Sequence, residues 1–428
     1  MLLATRTGPY LFSPPLRENQ GTLPAWPLVT YLYGFPLIWL LGASQFAPSL
    51  LAVSMLLLML TRRQILTHPV HWVWLALIIW ALVCTVSLTS PGNYLGWFQR
   101  FMNLANAGVF ALYYFNARQR ISLPLLLGGL ITVWLTLLVL GHLALLFPEA
   151  RLTTPMSLVL PAGLQANEWV RDAVRPSLAE VQWPWGAEHA YIRPAAPFPY
   201  ANSWGLAYAL LTPVLLSCYF LLTSKGAKLL LTLALLASLS PALATSNRGM
   251  LLGLGLSLAY LALRLFLASA WRPLAYLLAL ATGLVTYLVT SGAIEKILGR
   301  QEFSDSTGGR AELYRLTLDY ALRSPLVGYG TSRPAPSIGV SLGTQGYVWA
   351  LLFCFGFVGL GLFLCYLLYS LLATWQLKTG AGFCLHSLLF SSLLMVFFYS
   401  YDLMQLTSLL LVVSALLRAK YNPQEASL

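Results

Sequence analysis

A run of about twenty apolar residues is long enough to cross the hydrocarbon core of a bilayer as a helix, and few other folds accommodate it. This sequence holds twelve candidates, at roughly 27–45, 47–61, 70–89, 97–116, 122–147, 203–223, 227–245, 249–268, 273–291, 346–371, 380–399 and 403–418. The second is short, which suits a less tilted or partly re-entrant segment, and the fourth is expected to carry Arg100 in its first turn. The composition agrees: 58% hydrophobic, 9% charged, mean hydropathy +0.72. Such a chain reads as one polytopic all-α membrane domain over 1–428 rather than a string of soluble ones. The first 26 residues have no apolar core of the signal-peptide kind, so no cleaved signal is expected. Cys84, Cys218, Cys354, Cys365 and Cys384 all fall inside apolar spans and read as small buried hydrophobes, not as disulfides or metal ligands. Nor does any CxxC, HExxH, Walker or GxGxxG pattern occur in a fitting context, so no cofactor and no metal are expected.

Charge fixes the expected orientation. With the N-terminus in the cytoplasm, the cytoplasmic segments hold thirteen of the 25 Lys and Arg but only two of the 13 acids, Glu18 and Glu425. Positive charge inside is the known bias, so the net +12 is mostly a topology signal and not evidence for nucleic acid. Both termini are then cytoplasmic. Two long outer loops follow, at about 148–202 and about 292–345. They have balanced charge and carry Trp169, Trp183, Trp185 and Tyr191, aromatics that suit either headgroup anchoring or stacking on sugar rings.

The second outer loop contains a charged island, SDSTGGRAELYRLTLDYALRSPLVGYG, from Ser304 to Gly330. Ser306 or Thr307 can cap a helix there, and Leu313, Leu316, Thr317 and Tyr320 recur at helical spacing to give it one apolar face. Pro325 and the GYG turn stop it. Arg310 is thereby placed near a helix N-terminus, where free N–H groups and the dipole favour an anion and a planar guanidinium matches phosphate oxygens. A solvated arginine on a surface helix is the plainer alternative.

Further polar features gather at the outer helix ends. RPAAPFPYANSWG (193–205) leads into the sixth span, with Asn202 or Ser203 as cap. TSNRGM (245–250) opens the eighth and sets Arg248 at its N-terminus, against the charge bias. Arg248 is read either as an anion ligand or as a side chain snorkelling to lipid phosphate. GTQGYVW (343–349) opens the tenth, and Asp402 stands at the start of the twelfth, where it can cap that helix. Arg100, Asn202, Arg248, Thr344 and Asp402 are thus expected at outer helix N-termini, with Arg310 on a loop helix between them. A ring of dipoles and arginines beside the bilayer suits a lipid-linked diphosphate.

The order PFPYANSWG, SNRG, GGRAELYRLTLDYALRSPLVGYG and GFVGLGLF resembles the O-antigen ligase and O-antigen polymerase superfamily of membrane glycosyltransferases. The resemblance covers roughly residues 195–365 and, through the span layout, the whole chain. It implies a GT-C-like helical fold in the bacterial inner membrane that acts outside it on undecaprenyl-diphosphate-linked glycans. It also implies that the enzyme needs no nucleotide sugar and no metal. By this resemblance Arg248 and Arg310 match the arginines assigned to the diphosphate. Many members carry a His-Asn pair before the tenth span, the His as proposed base; here Thr344 and Gln345 stand in that place.

The resulting expectation is an inverting glycosyltransferase that moves an undecaprenyl-diphosphate-linked glycan onto an acceptor glycan or glycolipid, as polymerase or ligase. Membrane lipid, and polysaccharide chain-length or export proteins, are the further partners, and no nucleic acid is expected. Arg248, Arg310, Glu312 and Asp402 are the expected catalytic residues, with Glu188 and His189 as other candidate bases. Asn202, Trp204, Asn247, Arg100, Tyr314, Thr344 and Gln345 are the expected substrate contacts. A twelve-span transporter or lipid-glycan flippase is the alternative; it predicts charges near the bilayer midplane, whereas the polar groups here gather at the outer ends. A membrane scaffold subunit of a polysaccharide assembly complex is a third.

Overall fold

The structure, a computed structural model, describes residues 22–183, 189–290, 292, 306–335 and 339–421. Glu18, Trp185, Glu188, Ser304 and Glu425 lie outside the described residues. In chain order the elements are α1 (Trp26–Tyr33), α2 (Phe35–Leu40), α3 (Ala47–Leu60), α4 (Pro69–Val83), α5 (Pro91–Asn116) and α6 (Leu123–Leu146). The short α7 (Pro155–Val159), α8 (Ala162–Gln165) and α9 (Glu168–Val174) precede a hairpin of β1 (Ala179–Gln182) and β2 (Tyr191–Pro194). Then come α10 (Ala201–Leu221), α11 (Lys225–Ala244), α12 (Arg248–Leu267), α13 (Trp271–Thr290) and α14 (Ser306–Arg323). A second hairpin, β3 (Arg333–Ala335) and β4 (Val340–Leu342), leads to α15 (Tyr347–Thr374), α16 (Gly380–Phe398) and α17 (Leu403–Tyr421).

Nine helices among the described residues are long and apolar enough to cross a membrane, and each coincides with an expected span. The chain is therefore a mostly helical, polytopic membrane protein. The other three expected spans come out differently. The first is two short helices meeting at Gly34, where Pro36 opens α2. The second, α3, has 14 residues. The fourth, α5, is 26 residues long and starts six positions earlier than expected, because Pro91 sits at its first helical position and supplies the right φ. Arg100 consequently lies well inside α5 rather than in its first turn. Both long loops also carry a β-hairpin that the sequence analysis did not foresee.

The helices differ in depth. In α17, 83% of its apolar window is buried within the protein, whereas α13 buries 6% and packs chiefly on α12. The interior is formed by α10, α16 and α17, with α5, α6, α12 and α15 around them. Backbone groups that the membrane cannot satisfy are satisfied by neighbours. The clearest case is the break in α15 at Gly356, whose φ of 67° favours glycine. A Cβ there would lie 2.0 Å from the Leu326 carbonyl oxygen. The loop after α14 docks into this break: Tyr329 N–H donates to the Phe353 carbonyl, Gly330 N–H to that of Cys354, and Phe357 N–H to that of Pro325, at 2.9, 2.8 and 2.8 Å. The SPLVGYG turn and the GFVG segment are one joint, and that joint fixes α14 against the bundle.

Candidate functional site

A cavity of about 600 Å³ opens at the end of the bundle where α10, α12 and α17 begin. Its wall is made by Asn202 of α10, the turn Ser246–Gly249, the start of α14 (Gly309, Arg310, Glu312, Leu313), Gln182 and Arg193 of the first hairpin, Val340, Gln345 and Tyr399.

The SNRG turn builds its centre. Asn247 caps α12, its Oδ1 accepting from Met250 N–H at 3.2 Å. The same Oδ1 accepts from the Tyr399 hydroxyl. Gly249 is required by this contact, since a Cβ there would meet the Tyr399 hydroxyl at 2.5 Å. Ser246, with φ 49°, holds a left-handed conformation that costs a non-glycine residue about 1–2 kcal/mol. Strain of this kind collects where surrounding structure over-determines a site. Arg248, the first residue of the 20-residue α12, lines the cavity at the positive end of that helix.

Arg193 ties three walls together. Its Nε donates to the Thr245 carbonyl (2.8 Å), one terminal nitrogen to Glu180 (3.0 Å) and the other to Asn202 Oδ1 (3.0 Å). Glu180 in turn accepts from the Ala201 N–H at 2.9 Å and from Gln182 at 3.2 Å. The expected caps of α10, Asn202 and Ser203, instead lie inside its first turn, after Tyr200; a carboxylate from the hairpin satisfies the helix N–H in their place. The sequence analysis missed Arg193 altogether. It stands in a proline-rich approach with no periodicity, thirteen residues from its acid, and only a hairpin register makes them neighbours.

On the facing wall, α14 starts at Ser306, so its two glycines lie within the first turn and Arg310 follows them. Leu313 and Thr317 of its expected apolar face are buried, as is Ala321, while Tyr320 is exposed. Tyr314 stacks on Trp349 of α15 (centroids 4.3 Å, 12°), and both polar ends reach the Phe397 carbonyl. Tyr314 thus braces the helix and does not line the cavity. Glu312 is held by Arg315 through two bonds of 2.8 and 3.0 Å, which keep its carboxyl below the ordinary Glu range. Arg193 and Glu312 are therefore both balanced. No hydrogen bond or ion pair from the guanidinium of Arg248 or Arg310 is found among the described residues, so these two leave the cavity cationic.

The O-antigen ligase family model matches residues 229–364, a stretch that includes Arg248 and Arg310. The chain carries an O-antigen ligase domain. The match supports the O-antigen ligase and polymerase superfamily, a family of glycosyltransferase type. No curated protein matches the chain.

Seen as an O-antigen ligase domain, the structure brings Arg248, Arg310, Glu312, Asn202, Asn247 and Gln345 to one cavity. The other expected residues lie elsewhere. Arg100 donates to Gly96, Thr331 and Ser332, pinning the segment after the GYG turn to α5. Trp204 is fully buried and stacks on Tyr208, because a residue one turn into α10 faces the bundle interior. Thr344 is three residues ahead of α15 and holds a turn, its hydroxyl donating to the Ser341 carbonyl. Asp402 lies off the cavity beside Ser203; burial pushes its pKa up, and its Oδ2 has no partner. His189 is exposed and lines no part of the cavity, and the other histidines are also absent from its wall. Among the described residues no three His, Cys, Asp or Glu gather as metal ligands.

Proposed function

We propose that this protein transfers a glycan from undecaprenyl diphosphate to a sugar hydroxyl of an acceptor on the extracytoplasmic side, with Arg248 and Arg310 holding the diphosphate. The observation that carries this reading is a pair of arginines lining one cavity with no hydrogen bond or ion pair among the described residues, one of them at a helix N-terminus. A diphosphate supplies the missing negative charge, and planar guanidiniums bind its oxygens in pairs. Charge develops on the diphosphate as the anomeric C–O bond breaks, and fixed cations in a poorly hydrated site stabilise that charge. The acceptor oxygen forms the new bond from the opposite face, giving inversion, and its proton passes to a base. Among the described residues Glu312 is the carboxylate on the wall. Its low pKa makes it a weak base, which is sufficient where the transition state is oxocarbenium-like and the hydroxyl acidifies as it bonds. No metal takes part in this scheme.

The test is direct. Purified protein is incubated with lipid-linked oligosaccharide, with and without a glycolipid acceptor, and products are resolved by size. A ladder without acceptor identifies a polymerase; a single addition that needs the acceptor identifies a ligase. Substrate that crosses a vesicle membrane unmodified would replace this reading by that of a flippase.

A further inference from the structure

A second cavity, of about 300 Å³, lies on the other side of the approach to α10. It is lined by Trp39 of α2, Ser44 and Gln45 of the α2–α3 turn, Asp172 of α9, and Phe198 and Tyr200. We infer that this cavity is a sugar-binding subsite, which holds a ring of the glycan remote from the reacting bond; the inference rests on the transferase reading above.

Three features point to a sugar. The lining contains no Lys or Arg, so it is built for something other than the diphosphate. Its polar side chains are the Asp172 carboxylate, the amides of Gln45 and Asn167, and the hydroxyls of Ser44 and Tyr200, groups that accept from and donate to vicinal hydroxyls. Among the described residues Asp172 meets Arg171 at 3.6 Å, beyond hydrogen-bond distance, and the side chains of Ser44 and Gln45 make no hydrogen bond. Its apolar groups are aromatic: Trp39 and Phe198 form a buried floor and Tyr200 stands exposed at the rim. An aromatic face takes the C–H face of a pyranose while polar groups at its edge take the hydroxyls.

Its position ties it to the first cavity. Pro197–Tyr200 lines the second cavity, and Asn202, two residues on, lines the first. A glycan with its reacting end among the arginines has its outer rings within reach of this segment. Both substrates of a transferase carry sugar, so the ring belongs to either the donor or the acceptor.

The experiment uses full-length protein with Asp172→Asn, Gln45→Ala and Tyr200→Ala, changes on three separate elements. None of these residues lines the arginine cavity. Transfer is measured with donor and acceptor varied in turn, and saturation-transfer NMR is run with the lipid-free oligosaccharide released from the donor by mild acid. Each variant is expected to raise KM for one substrate about tenfold, as loss of a charged or buried contact does, with kcat within about twofold. A rise for acceptor alone assigns the ring to the acceptor, and one for donor alone to the donor. Saturation transfer seen with the parent protein should fade in Asp172→Asn. Unchanged KM for both substrates in all three folded variants overturns the subsite. If the parent protein transfers nothing, the function reading fails instead. The NMR arm then decides the subsite alone: loss of signal in Asp172→Asn supports it, and equal signal or none in the parent overturns it.

Discussion

At the end of the bundle away from the cavity, Arg264 is buried and donates to the Tyr260 hydroxyl and to the carbonyls of Trp375 and Leu377 at 2.8–2.9 Å, its plane 4.5 Å from the Trp375 ring. Arg418 is wholly buried there and donates to the Tyr114 and Ile121 carbonyls at 3.1 and 2.9 Å. At the cavity end, Arg248 and Arg310 have no such partners among the described residues. The difference follows from helix polarity. Arg264 and Arg418 stand in the last turns of α12 and α17 and meet, among others, the carbonyls of Trp375 and Tyr114 at the C-terminal ends of α15 and α5, where the dipole is negative and oxygens are unsatisfied. Arg248 stands at the first residue of α12, where the dipole has its own sign. A cation there is repelled by the scaffold unless an anion joins it. The same residue type is therefore a structural staple at one end and an incomplete site at the other.

The largest test of this contrast is substitution. With the diphosphate bound, removing Arg248 or Arg310 leaves charge short of a partner, which costs about 3–5 kcal/mol. Arg248→Ala and Arg310→Ala should lose about 10²-fold or more in turnover while melting normally in detergent. The double mutant should be barely worse than either single, since the two act as a unit. Arg248→Lys should recover only part, having charge without the planar fork. Arg264→Ala and Arg418→Ala should show the reverse pattern: a lower melting temperature and yield, with turnover per folded molecule within about twofold, because their loss leaves buried carbonyls unsatisfied. Near-normal turnover in folded Arg248→Ala and Arg310→Ala would break the contrast and with it the diphosphate seat.

What the sequence made legible follows the same physics. Nine spans were readable because an uninterrupted apolar run has one stable outcome in hydrocarbon. Arg248 and Arg310 were readable because each sits beside a local helix-start signal, SNRG or STGG. The residues that failed to reach the cavity were placed by proximity to an expected helix start. Trp204 illustrates why that is not enough, as a helix turns its residues through 100° each and this one faces inward. Arg193 and Tyr399 were invisible because their partners, Glu180 and Asn247, are distant in sequence and meet only through a hairpin and a helix crossing.

An intermediate effect is expected at Arg193, which shares features with both ends: buried and fully engaged like Arg418, yet on the cavity wall like Arg248. If it positions the SNRG turn, Arg193→Gln should lower kcat about tenfold, and Glu180→Gln should do the same, as loss of either half of a buried charged pair costs more than a surface pair. The double substitution should cost less than the two singles added. Single-turnover kinetics on the purified variants measure this. Additive losses would instead make Arg193 a direct ligand of the anion.

The smallest effect concerns pH and the Glu312 carboxylate on the wall. Arg315 holds Glu312 in its ionised form and lowers its pKa below the ordinary Glu range. A depressed carboxylate stays ionised, and able to take a proton from the acceptor, until pH falls through the depressed value. The acid limb of kcat/KM should accordingly lie below the ordinary Glu range in the parent protein. In Arg315→Gln the stabilising partner is gone, the pKa rises toward its usual value, and the limb should move to higher pH with little change near neutrality. Glu312→Gln should abolish the limb. An acid limb that stays in place in Arg315→Gln would take the base role away from Glu312.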